Sequence, residues 1–107
     1  MLFRHKSKKE EKERVIISYT QKLGVICIQS LEKYIKKFKI AKCYIIIPSP
    51  PHQNVIEYAR NISLLEIIVS SDFKQETEKI KKLYPGSTIE IIKLEDFGER
   101  NMMRDAI

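Results

Sequence analysis

The chain is poor in the residues from which compact reactive sites are built. Among 107 residues there are three glycines, two cysteines, two histidines and no tryptophan. The stretch "PSPP" at Pro48–Pro51, where a strand gives way to a helix, lacks the glycines that let a backbone approach a pyrophosphate closely. Cys27 and Cys43 stand sixteen positions apart inside apolar runs, without Cys-x-x-Cys spacing and without a histidine nearby. That pattern reads as two buried, reduced thiols and places the chain in the cytoplasm. His5 and His52 are the only bases available to activate a nucleophile, and neither has a cysteine or serine with an orienting acid beside it, so no catalytic triad is expected. No apolar run approaches the roughly eighteen residues of a membrane span, and the N-terminus turns polar after three residues, so neither a span nor a secretory signal is expected.

What the chain has is isoleucine and lysine, eighteen and fifteen of them, a bias shared by hyperthermophile proteins and by products of AT-rich genomes. Apolar residues make up 43% and charged residues 32%, the balance of a soluble globular protein. The length suits one domain. We expect a charged arm over residues 1–13, a single α/β domain over 14–95 and a tail over 96–107. The formal charge of +6 favours a polyanionic partner, since cations that neutralise phosphates release counterions.

Along the chain, "RVIISYT" and "GVICIQ" are β-branched runs joined by "QKLG", which predicts a hairpin of Arg14–Thr20 with Gly24–Gln29. A competing stripe of Gly24, Ile28, Leu31, Ile35 and Phe38 would make one helix of 24–39, but four consecutive apolar residues, "VICI", argue for a strand. Ser30 then caps a helix over about 31–39 that buries Leu31, Tyr34, Ile35 and Phe38. "KCYIII" and "LLEIIVS" read as parallel strands covered on both faces, joined through a helix at about 51–60. Asp72 caps a third helix that Pro85 and Gly86 end, and "STIEIIKLE" reads as an edge strand. The predicted fold is α/β, with a mixed sheet in the order hairpin then β-α-β-α-β and helices on both faces.

Ser49, His52, Gln53 and Asn54 fall where α/β folds bind ligands, at the carboxyl end of a strand. Strand termination explains the prolines without any ligand, and two prolines in the first helical turn would remove donors that an anion needs. The acids Glu32, Glu57, Glu66, Asp72, Glu76 and Glu78 are scattered singly, so no paired-carboxylate or metal site and no cofactor is expected. Glu66 alone sits in an apolar strand, where Lys42 or Arg60 is its candidate partner, unless it faces solvent at an edge.

The lysines are the most informative surface. Lys33, Lys36 and Lys37 share one helical face, Lys39 and Lys42 follow, and Lys79, Lys81 and Lys82 form a second group at the end of the third helix. They read either as solvated faces, helped by the preference of lysine for helix C-termini, or as phosphate contacts. An exposed aromatic platform for unpaired bases is not expected.

The segment "KLGVICIQSLEKYIKKFKIAKCYIIIPSPPHQNVIEYAR", within the order hairpin, helix, strand, helix, strand over about residues 14–70, resembles the core of restriction-endonuclease-like proteins. These include Mrr-type nucleases, Holliday-junction resolvases and the jaw domain of the fifth RNA polymerase II subunit. Active members carry an acid at the hairpin and, on its second strand, Glu or Gln, one spacer and Lys, which hold a divalent metal. The corresponding positions here are Cys27 and Gln29, with Glu13 as the only available first acid, so the resemblance implies an inactive copy. The expected function is a non-catalytic nucleic-acid-associated module, in transcription or elsewhere, that binds through its lysine face. The alternatives are a protein-interaction subunit or homodimer pairing through the edge strand Ser87–Lys93 and, after it, a divergent metal-dependent nuclease.

Overall fold

The computed structural model describes residues 12–94. The tail expected over 96–107 lies outside them, as does the arm expected over 1–13 except for its last two residues. The described chain alternates strand and helix without a break: β1 (Arg14–Tyr19), α1 (Val25–Lys37), β2 (Lys42–Ile47), α2 (Gln53–Arg60), β3 (Leu65–Val69), α3 (Phe73–Leu83) and β4 (Thr88–Lys93). The α/β class is as expected.

All four strands are parallel, in the order β3-β2-β1-β4. Successive crossovers carry the chain from β1 to β2 to β3 in one direction and then back across β1 to β4. Because such crossovers keep one hand, advancing in one direction stacks α1 and α2 on one face, and the reversal sends α3 to the other. The cores match this division. Ile16, Cys43, Ile45, Ile47 and Leu65 pack with Ile28, Leu31 and Ile35 of α1 and with Val55 and Ala59 of α2. Val15, Ile17, Tyr44 and Ile46 pack with Ile80 of α3.

The hairpin is therefore a correction. Gly24–Gln29 is not a second strand, and β1 pairs with β2 and β4, so the sheet is purely parallel and not mixed. Gly24 is the extended N-cap of α1, with φ −122°, and the helix begins at Val25. Of the "VICI" run only Ile28 is fully buried, and Ile26 points outward at 57% exposure, as a helix allows and a buried strand would not. Ser30, expected to cap a helix, lies inside α1 and is buried. Cys27 and Gln29 thus stand on a helix, and the hairpin strand to which the nuclease resemblance assigned them is absent.

The remaining elements lie close to their expected places. β2 and β3 are parallel neighbours, Cys43 opposite Leu65 and Ile47 opposite Val69. β3 is an edge strand, however, and its outer residues reach solvent instead of being covered on both faces. The Asp72 side chain accepts from the Gln75 N–H at 2.9 Å, the expected cap of α3. β4 occupies the opposite edge, as its uneven pattern suggested.

Two buried hydroxyls, those of Ser18 and Thr77, have no hydrogen-bond partner among the described residues. An unpaired buried hydroxyl is destabilising by roughly 1–3 kcal/mol, and valine matches threonine in shape. Thr77→Val on the buried face of α3 is therefore expected to raise the unfolding free energy by about 1 kcal/mol, measured by urea denaturation. An unchanged or lowered midpoint would mean that the hydroxyl is satisfied in solution.

Candidate functional site

Helices in this fold run against the strands, so their last turns return to the end of the sheet where strands begin. The backbone around Arg14 marks that amino end. Its carbonyl accepts from Ala41 N–H at 2.8 Å, just before β2, and Glu13 C=O accepts from Thr88 N–H at 2.9 Å, at the start of β4. The last turns of α1 and α3 carry Lys36, Lys37, Lys81 and Lys82 to this end. Such placement suits the negative end of each helix dipole.

The two expected lysine groups do not form one face. Lys33, Lys36, Lys37 and Lys39 belong to α1 and its end, on one side of the sheet, while Lys79, Lys81 and Lys82 belong to α3 on the other. They approach each other only along the amino end, where Arg14 and Lys42 open their strands. Several are already engaged. Lys36 pairs with Glu32 at 3.5 Å, Lys79 with Glu76 at 3.8 Å and Lys42 with Glu66 at 3.7 Å. Lys42 also reaches the Ser63 carbonyl at 3.4 Å. Glu66 is thus both paired and more than half exposed, which accounts for an acid in that strand. Among the described residues, Lys37, Lys39, Lys81 and Lys82 have no acidic partner.

Around Phe38 the surface is not the lysine-only face expected. Phe38, assigned from sequence to the buried side, is the C-cap of α1 and 39% exposed. Its ring lies 4.6 Å from the Tyr34 ring, tilted by 44°. The Arg14 guanidinium carbon is 5.8 Å from its centroid and Lys37 Nζ is 5.4 Å away. Arg14 is held there by Glu90, at 3.2 Å. Both helical readings of the sequence put Phe38 on the apolar face, and neither signalled that it caps the helix end.

Lys39 follows in a left-handed conformation, φ 52°, the only non-glycine residue with positive φ among those described. The Ile40 N–H donates to the Ile35 carbonyl at 3.0 Å across it, and both side chains enter the core. This is a Schellman ending, with lysine where glycine is the usual occupant. It fixes the backbone that carries Phe38. Beside it, a shallow groove of about 250 Å³ opens between α1 and the turn before β3, lined by Glu32, Ile35, Lys36, Asn61, Ile62 and Ser63 among others. Tyr58 closes the adjoining helix contact by donating to Glu32 at 3.0 Å, which raises the phenol pKa.

At the carboxyl end the expected candidates face solvent. Ser49, His52, Gln53 and Asn54 are exposed. The prolines precede His52, the N-cap of α2, and so remove no donors from its first turn, contrary to expectation. Above β1 on the α3 side, the rings of Tyr19 and Phe73 pack with centroids 4.5 Å apart, tilted by 54°. Both thiols are free. Cys43 is buried, and desolvation pushes its pKa up to about 12 against a smaller opposing effect of Lys42, which leaves a neutral, unreactive thiol. Among the described residues no three His, Cys, Asp or Glu side chains gather as metal ligands, and no helix is long and apolar enough to cross a membrane.

Comparison with protein-family models, with curated proteins and with solved structures finds no match.

A lysine in the left-handed region is disfavoured by roughly 1 kcal/mol relative to glycine. Lys39→Gly is accordingly expected to raise stability by about that amount in thermal or urea unfolding. Destabilisation instead would show that the lysine stem contributes packing at this corner.

Proposed function

We propose that this chain is a non-catalytic nucleic-acid-binding module that meets phosphates through the amino end of its sheet, chiefly from the α1 side. The observation that carries this reading is the set of cations gathered around the end of α1. Arg14 of β1 and Lys37 of α1, distant in sequence, both lie against Phe38, with Lys36 and Lys39 beside them in the chain, and Lys37 and Lys39 have no acidic partner among the described residues. Lysines that merely solvate a helix need not converge with the first residue of a strand elsewhere in the chain. Flexible ammonium groups neutralise phosphates without reading bases, so the binding is expected to be largely independent of sequence. Transcription is one setting for such a module.

The test is a salt titration of binding to duplex and single-stranded oligonucleotides. Removing one phosphate-neutralising cation should reduce the slope of log affinity against log salt by about 0.9 on duplex and about 0.7 on single strands. Changing Lys36, Lys37 and Lys39 together to Glu should therefore flatten the slope by the equivalent of roughly two to three phosphates. No binding by the native chain at low salt would end this reading.

A second reading is favoured by β4. Its outer edge pairs with no strand among the described residues, and Ile91 on it is 45% exposed, an apolar residue on an open edge. Self-pairing through this edge predicts a dimer in sedimentation equilibrium that Ile91→Lys dissociates. A strict monomer at high concentration would exclude it.

A further inference from the structure

We propose that Phe38 is a stacking platform for an unpaired base, so that the preferred ligand of the amino-end surface is single-stranded nucleic acid. This inference rests on the phosphate-binding reading above and specifies its substrate class.

Exposed apolar side chains taken singly need no explanation. Ile26, Val69 and Leu83 are all more exposed than Phe38, yet all are aliphatic. Phe38 differs in three respects. It is aromatic and partly exposed, and an aromatic ring can stack with any base. Two cations attend it, Arg14 at 5.8 Å and Lys37 at 5.4 Å from the ring centroid. And it is held from below, by the tilted Tyr34 ring at 4.6 Å and by the chain reversal at Lys39, so that little ordering entropy remains to be lost on binding.

The two cations play different parts. Arg14, tied to Glu90 at 3.2 Å, is a fixed cation over the ring. Lys37 has no acidic partner among the described residues, and its long stem lets the ammonium swing from the ring to a phosphate. Lys39, one residue beyond the ring, carries a second mobile charge. Stacked base and neighbouring phosphates are a repeating pair along a single strand, and an aromatic ring with lysines one residue away on either side matches it. A duplex hides its base faces, leaving Phe38 nothing to stack on. An anionic lipid surface would call for a broad exposed apolar face, whereas Ile28, Leu31 and Ile35 of α1 are turned into the core.

The chain has no tryptophan, so Phe38→Trp introduces a single indole at the platform. The experiment compares native, Phe38→Ala and Phe38→Trp proteins. The probes are a short mixed-sequence single strand, the blunt duplex it forms with its complement, and vesicles of phosphatidylserine in phosphatidylcholine. Phe38→Ala should weaken single-strand binding by roughly tenfold and duplex binding by less than about twofold. Phe38→Trp should retain affinity and show indole quenching by the single strand. Unfolding curves of Phe38→Ala confirm that the fold persists. Equal loss on both nucleic acids, or no loss on either, would overturn the platform and leave the lysine surface standing. Absence of binding by the native chain to either nucleic acid at low salt would overturn both readings. Vesicle binding lost in Phe38→Ala, without oligonucleotide binding, would assign the ring to a lipid surface instead.

Discussion

A strand hydrogen-bonded on both sides and covered on both faces can place none of its middle side chains in water, and the middle of β1 is held under that constraint. Val15, Ile16, Ile17 and Ser18 are fully buried, with β2 along one edge and β4 along the other. Burying each large aliphatic side chain contributes about 1.5–3 kcal/mol. Alternate residues of β1 feed the two cores, Ile16 that beneath α1 and α2, Val15 and Ile17 that beneath α3. Because β1 receives a partner on each side, the chain must cross it, and the crossing divides the helices between two faces. The placement of the helix lysines on two faces follows from that division.

The same constraint explains what could and could not be read from the residues. β2 announced itself by six near-continuous apolar residues, and α3 by a cap, an amphipathic pattern and a terminating Pro-Gly. These are local signals, and the structure honours them. The partners of β1 are not local. Its pairing with β4 joins Arg14 to Thr88, and no short-range pattern encodes a bond across that separation. Lacking it, β1 looked for the nearest β-branched run and found "VICI", eleven residues on. The helical stripe through Ile28, Leu31 and Ile35 was as visible as the β-branched run, and packing against the sheet decided for it over intrinsic propensity. The error then displaced the start of α1, while Phe38 stood on the apolar stripe in either reading and its place at the helix end was not legible. The lysine positions were legible, but their separation onto two faces depended on the crossover and was not.

The surface around Phe38 shows how far helix-end chemistry alone accounts for a basic cluster. Lysines in the last turn of a helix offset its negative end, and Lys36, Lys37, Lys81 and Lys82 are all explained that way. Lys39 is not. It lies past the last turn in a conformation that favours glycine, and a glycine there would complete the same Schellman ending with less strain. Its charge, one residue from an exposed ring, is what glycine would forfeit.

The choice of sheet end has a further physical consequence. At the carboxyl end, α/β proteins commonly hold anions with the N–H groups of helix N-termini, a rigid array that fixes one ligand geometry. Here α3 satisfies its own first turn with the Asp72 carboxylate, which would repel an incoming anion. The amino end offers no backbone donors of that kind, only helix C-termini whose partial negative charge opposes an anion. Any attraction must therefore come from ammonium groups on long stems reaching past the backbone. Such groups tolerate many anion positions and select none, so under the nucleic-acid reading proposed above any discrimination between forms would fall to the ring of Phe38.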